Sequence, residues 1–169
     1  MDQRAFIAIV QPFQDKVYRV ARRLLISDDA AQDATQEVLL KLWKKRDQIK
    51  KYRSPEAFAM TMTKNYCYDR LKAKGNNNLK IVHSNYEDHS SNTSKQVEVS
   101  DEVAWVFKFI EQLPEQQRLI IQMRDVEQYT NTEIAEILEI NEGAVRVALS
   151  RARKTLRTQL LETKSYGIK

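Results

Sequence analysis

Apolar residues in this chain return every three or four positions, and over no useful length do they alternate. The series Phe6, Ile9, Val10, Phe13, Val17, Val20, Ala21 and Leu24 marks one face of an amphipathic helix, because a strand would bring its inward side chains back every second residue. Breakers are scarce, with 3 Gly and 3 Pro among 169 residues. The expected fold class is therefore all-α. A chain of this length can bury one ordinary core or two small ones.

One stretch departs from the pattern. Residues 75–100, "GNNNLKIVHSNYEDHSSNTSKQVEVS", are rich in Asn and Ser, begin with Gly and have no helical period. They read as a flexible linker. The expected organisation is thus two small helical domains, 1–74 and 101–169, joined by the linker. In the first, Ser27 offers an N-cap and Asp28 and Asp29 suit the positive end of a second helix, whose apolar side is Val38, Leu39, Leu42 and Trp43. Trp43 reads as core rather than interface. "SPEAF" starts a third helix, capped by Ser54 with Pro55 in its first turn, which Gly75 is expected to stop. After the linker, Val103, Val106, Phe107 and Ile110 form a helix that must end before Pro114, and "PEQQRLIIQMRDV" starts another. Thr130 and Glu133 have the spacing of a capping box, and Asn141 is placed to cap a final helix.

Several function classes find no support. No apolar run approaches the length of a membrane span, the opening "MDQRAFIAIVQPFQDK" does not read as a signal peptide, and a cytoplasmic protein is expected. The single cysteine, Cys67, reads as a buried structural thiol and permits no disulfide framework. His83 and His89 both fall in the linker and read as solvated residues, and no phosphate-cradling Gly loop or nucleophile and base pattern is present. No enzyme activity, cofactor, metal or small-molecule substrate is expected.

Charge says more. The formal net charge is +5, distributed as +7 over residues 1–74, −1 over 75–100, −7 over 101–142 and +6 over 143–169. A basic balance favours an anionic partner, and the last boundary is the sharpest. It falls inside "TNTEIAEILEINEGAVRVALSRARKTLR", where a helix with Glu133, Glu136 and Glu139 is followed by one with Arg146, Arg151, Arg153, Lys154 and Arg157 and no acid from Gly143 to Gln159. By periodicity alone the pair is either an αα-hairpin in a bundle or a helix-turn-helix. The segregated charge favours the second, since a bundle helix more often mixes signs as i,i+4 pairs, whereas a helix in the major groove needs cations along its sides. At its start Glu142 could accept from a cytosine amino group, Arg146 could reach guanine or phosphate, and the Asn141 region could meet a phosphate through backbone N–H groups. Arg151, Arg153 and Lys154 come later and suit phosphates. Ala144, Val147 and Ser150 complete the candidate DNA face.

The segment "LPEQQRLIIQMRDVEQYTNTEIAEILEINEGAVRVALSRARKTLR" resembles the C-terminal promoter-binding domain of the extracytoplasmic-function sigma factors. In the same way "DATQEVLLKLW" with "SPEAFAMTMTKNYCYDRLKAK" is similar to their N-terminal domain, in the family's order and on either side of a polar linker. The resemblance implies a subunit that binds core RNA polymerase, directs it to promoter DNA and helps to melt it near the start site. It also implies that Asp33, Gln36 and Glu37, followed by Lys41, dock on the polymerase, although on the residues alone Gln36 and Glu37 would be a solvated helix face. By the same resemblance Lys64, Asn65, Tyr66, Arg70, Lys72 and Lys74, with Arg53 in the preceding loop, capture the non-template strand, and Asn65 meets a flipped base. Tyr66 and Tyr68 could equally be core or stacking platforms. An anti-sigma factor is a further implied partner.

This chain departs from the family pattern at Ala34, where Leu is usual, at Glu139, where Gly is common in the turn, and at Ala144, where Thr is common. Arg146, Val147 and Ala148 stand where many relatives carry Lys-Ser-Arg, so Ala148 removes a cation that could contact DNA. The alternative function is a stand-alone helix-turn-helix repressor or activator, which would bind a palindromic duplex site without polymerase.

Overall fold

A computed structural model describes residues 1–78 and 101–165, all of whose regular elements are helical. The polar stretch holding His83 and His89 lies outside the described residues. The chain divides into two compact units, the first containing α1 to α4 and the second α5, α6, most of α7 and α8.

In the first unit α1 (Gln3–Leu25), α2 (Asp28–Lys44) and α4 (Pro55–Asn78) pack on one another, with a single turn, α3 (Arg46–Ile49), between the last two. The periodic series of α1 supplies Phe6, Val10, Phe13, Val17, Val20, Ala21 and Leu24 to the core, while Ala31, Ala34, Val38 and Leu42 come from α2 and Ala59, Met60 and Cys67 from α4. Ala34 is fully buried, so the small residue sits where α2 packs rather than where it meets a partner. Trp43 is half-buried, edge-on to Phe6 with ring centroids 5.1 Å apart.

Local chemistry sets most boundaries. Asp2 accepts from the Ala5 N–H at 2.8 Å, Ser27 from Ala30 at 3.2 Å and Ser54 from Ala57 at 3.1 Å, each satisfying a first-turn donor. α1 runs through Pro12, whose ring is exposed. A proline inside a helix costs about 3 kcal/mol, and the burial of Val10, Phe13 and Val17 on either side outweighs that loss. Ile26 ends α1 at φ 59°, with its N–H on the Arg22 carbonyl at 2.9 Å.

α4 does not stop at Gly75 but continues to Asn78. A glycine ends a helix when it takes a left-handed conformation. Gly75 has not done so, and a Cβ there would meet nothing within 4 Å.

In the second unit α8 (Glu142–Ser165) packs against α5 (Asp101–Glu111) and α6 (Glu115–Ile121). Pro114 precedes α6 as its N-cap instead of occupying its first turn. The helix expected to run on through Val126 changes character after Ile121, because Gln122–Val126 form a π-helical turn. Its widened ring is closed by the Glu127 N–H on the Gln122 carbonyl, and the Tyr129 N–H on Met123 follows, both at 2.9 Å. Gln128 then takes φ 65° and leads to α7 (Asn131–Leu138).

Candidate nucleic-acid interface

α7 and α8 are joined by Glu139, Ile140 and Asn141. Thr130 accepts from the Glu133 N–H at 3.1 Å, and the return partner of its hydroxyl is the Glu133 carboxylate. Glu139 is left-handed at φ 57°, while the Ile140 N–H reaches the Ala135 carbonyl at 3.1 Å. That is the bond of a Schellman cap, and it explains why glycine is favoured where this chain holds Glu139. Asn141 then caps α8, its Oδ1 accepting from Ala144 at 2.7 Å. Gly143 leaves room for this cap, since a Cβ there would lie 3.1 Å from the same oxygen.

α8 buries Val145, Ala148, Leu149 and Ala152, a stripe at three and four residue spacing. Ala148 is 9% exposed, so it belongs to the packed side, and a cation here would be buried rather than presented to DNA. The position that differs on the open side is Val147, 48% exposed. With it are Asn141, Ala144, Arg146, Ser150, Arg151, Arg153 and Lys154, all exposed, and half-buried Glu142.

A shallow groove gathers Arg146, Ser150, Arg153 and Lys154 with Asn131, Leu149 and Arg157. Asn141, Glu142, Ala144, Val147 and Arg151 are not among its walls. Arg157 follows Arg153 by four residues and Lys154 by three, so extending the same stripe one turn would have found it. Asn131, on α7, has no such signal, because only the fold of the turn brings it beside α8.

Three of the expected DNA contacts are already engaged. The Glu142 carboxylate accepts a short hydrogen bond from the Thr132 hydroxyl and lies 3.5 Å from Arg146. Both candidate base readers are thus joined to each other, with Thr132 holding the far side. Arg153 donates to Asp125 through Nη2 at 2.6 Å and Nε at 3.2 Å. This hydrogen-bonded carboxylate raises the pKa of the guanidinium above its ordinary value.

The first unit holds the other candidate residues. Asp33, Gln36, Glu37 and Leu40 of α2 share one depression with Tyr66 and Arg70 of α4. Residues expected to serve two separate purposes are therefore neighbours. Half-buried Tyr66 has Lys41 over its ring at 5.6 Å and Arg70 at 5.9 Å, and its hydroxyl accepts from Arg70 at 3.3 Å. Asn65, Lys72 and Lys74 are exposed elsewhere on α4, Lys64 is half-buried, and exposed Arg53 precedes the helix. Beside Arg53 is an aromatic pair that sequence reasoning missed, Tyr52 stacked on Phe58 at 4.1 Å with Lys45 over the Phe58 ring. Cys67 is buried, and the loss of hydration pushes its thiol up to about 12.

Among the described residues no helix is long and apolar enough to cross a membrane, and no three His, Cys, Asp or Glu gather as metal ligands. The cationic face of α8 suits a polyanion, while the surface of α2 and α4 sets Tyr66 and Arg70 beside the carboxylates of Asp33 and Glu37.

Comparison with known proteins gives this chemistry a family. Residues 9–76 match sigma-70 region 2 and residues 104–156 match sigma-70 region 4, together more than half of the chain. Over 94% of this chain and 90% of the relative, 26% of positions are identical to the ECF RNA polymerase sigma factor SigW of Bacillus subtilis (strain 168). The ECF RNA polymerase sigma-E factor of Escherichia coli (strain K12) is 28% identical, over 92% and 86% of the two chains. Among solved structures, the sigma factor RpoE in complex with the anti-sigma factor NepR from Bartonella quintana superposes with a TM-score of 0.78 and 22% identity, covering 94% of this chain and 97% of that one. CnrH in complex with the cytosolic domain of CnrY gives 0.68 at 21% identity, with 94% and 89% covered. At these identities the structures speak for the fold, and it is the two matched regions, in order along nearly full-length relatives, that place the chain in the sigma-70 family, within its extracytoplasmic-function group.

Proposed function

We propose that the chain is a promoter-specificity subunit that brings core RNA polymerase to a subset of promoters and helps to open them. The observation that carries this reading is the cationic groove along α8, capped by Asn141 and flanked by Asn131, in a chain that also matches region 2 of the same family. A duplex laid on α8 would meet Arg146 and Glu142 near base edges and Arg151, Arg153 and Lys154 along phosphates. Ala144 and Val147, outside the groove on the exposed side of α8, and Ser150 within it would face the bases, and Asn141 would present its helix N-terminus to a phosphate.

On the first unit, Asp33, Gln36, Glu37 and Lys41 would dock on the polymerase. Lys64, Asn65, Tyr66, Arg70, Lys72 and Lys74, with Arg53, would take the non-template strand as it leaves the duplex. Their chemistry supports the assignment, because an unstacked base needs an aromatic face and its backbone needs cations. The function asks no catalytic chemistry of the chain, and its partners place it in the cytoplasm. The RpoE neighbour was captured with the anti-sigma factor NepR, and we infer a protein of that kind as the restraint here.

The test is reconstitution. Purified chain should co-elute with core polymerase and start transcription at a distinct promoter class, read from RNA 5′ ends. Failure to bind core, with tight binding to a palindromic duplex instead, would move the chain to the stand-alone regulators.

A further inference from the structure

We propose that Asp125 is a built-in competitor for the duplex phosphate at Arg153, and so a residue that limits how tightly the α8 groove holds DNA of any sequence. The inference rests on the reading that this groove lies on duplex DNA. Its starting point is the geometry of the pair. Arg153 presents Nε and Nη2 side-on to one carboxylate, at 3.2 and 2.6 Å, which is the bidentate fork that a guanidinium also offers to a phosphate. Arg153 lines the groove, with its side chain 47% exposed and that of Asp125 41% exposed, so a duplex can reach the pair.

The acid is held in place by its backbone. Asp125 belongs to the π-helical turn Gln122–Val126, which is fixed by the Glu127 and Tyr129 N–H bonds and by Arg124, whose Nη1 donates to the Tyr129 carbonyl at 3.3 Å. Glu142 holds Arg146 differently, by one 3.5 Å contact within a single helix. Among the described residues Lys154 and Arg157 have no carboxylate in ion-pair reach. One groove therefore contains two open cations, one loosely held and one already occupied by a phosphate-like group.

The consequence comes from how the two kinds of contact scale. A phosphate contact adds affinity for any sequence and releases about one counterion, whereas base contacts discriminate. A carboxylate on Arg153 removes one such contact from the sequence-independent part. Affinity for DNA of any sequence falls by about the same factor, while Arg146 and Glu142 are left to read bases, so the groove releases wrong sites faster with its discrimination intact.

The experiment measures binding of the full chain to a random-sequence duplex by fluorescence anisotropy over a salt series. Asp125→Asn should bind roughly 5–10-fold tighter near 0.1 M salt and steepen the slope of log K against log salt by about one. In Asp125→Asn combined with Arg153→Ala that gain should vanish. An unchanged or weaker Asp125→Asn, or a gain that survives loss of Arg153, overturns the proposal. A second measurement needs no variant: in the wild-type chain the NMR signal of the Arg153 Nε–H should stay in place as random duplex is added, and a shift at saturation overturns the proposal even if Asp125→Asn does not fold. Lys154→Ala separates the two levels of inference. If it fails to lower the slope, the groove reading falls and this proposal with it; if it lowers the slope by about one while Asp125→Asn changes nothing, the proposal alone falls.

Discussion

The two basic blocks of this chain carry nearly equal charge, +7 before the polar stretch and +6 at the end, yet their cations are tethered in different ways. In the first unit several lie over rings, Lys41 and Arg70 over Tyr66, Arg46 over Trp43 at 4.2 Å and Lys45 over Phe58, while Lys16 and Arg22 pair with Glu56 and Asp28. On α8 they are tethered by carboxylates or stand open, as with Arg153 on Asp125 and Arg146 near Glu142. A cation over a ring is not neutralised by an acid, and the ring edge or face remains a surface for a base. A cation on a carboxylate must exchange one acid for another. On the proposed reading, nearly equal net charge would serve two kinds of nucleic-acid contact, to separated strands in one unit and to intact duplex in the other.

The largest effect that would break this comparison is expected at Tyr66. Replacing it by Leu should weaken promoter opening by about 1–3 kcal/mol, read as permanganate reactivity of the melted strand at a fixed promoter, and leave duplex binding by α8 unchanged. Tyr66→Phe keeps the ring and should retain most of the opening. If Leu serves as well as Phe, the ring is packing only, and the contrast between the units loses its chemical basis. Next comes Arg157→Ala, which removes an open groove cation and should lower the salt slope of duplex binding by about one without altering promoter preference.

A smaller effect concerns the turn that aims α8. Glu139 stands at φ 57°, where a side chain costs about 1 kcal/mol, and Glu139→Gly should raise thermal stability by up to that amount while leaving promoter choice alone. The smallest expected effect is the reactivity of Cys67. Burial favours its neutral thiol, so alkylating reagents should label it at neutral pH only after denaturation. The sign for stability is the same: the contribution is complete below the ordinary thiol value of 9.0 and is lost as pH rises toward about 12, because the unfolded chain ionises first. Rapid labelling of the folded protein would show that α4 is less firmly packed than Cys67 indicates.

What could be read in the sequence is what depends on near neighbours. Ser27, Ser54, Thr130 and Asn141 cap helices through bonds three residues long, and those positions are evident from residue type and spacing. The α8 stripe of Arg146, Ser150, Arg153 and Lys154 is evident for the same reason. Gly75 misleads because a weak helix former need not end a helix unless its backbone turns left-handed. The π turn gives no signal in residue type or spacing, and its first two residues, Gln122 and Met123, are buried. Asp125 meets Arg153 across 28 positions, and Asn131 and Thr132 come beside α8 only after the turn has folded. Ala148 is misjudged through its place in a motif, when the buried stripe of α8 decides which way it faces.

The π turn has one more consequence, for length. A hydrogen bond spanning five residues where four would suffice means that Gln122–Val126 hold one residue more than an α-helix of the same rise requires. Removing the exposed Val126 would restore ordinary winding, and the buried Gln122 and Met123, lying upstream, would keep their places. The chain beyond the deletion would keep nearly its original direction, because the widened ring already absorbs the extra residue. A single codon lost here would thus be absorbed by the winding, leaving both the core and the segment that leads into α7 in place.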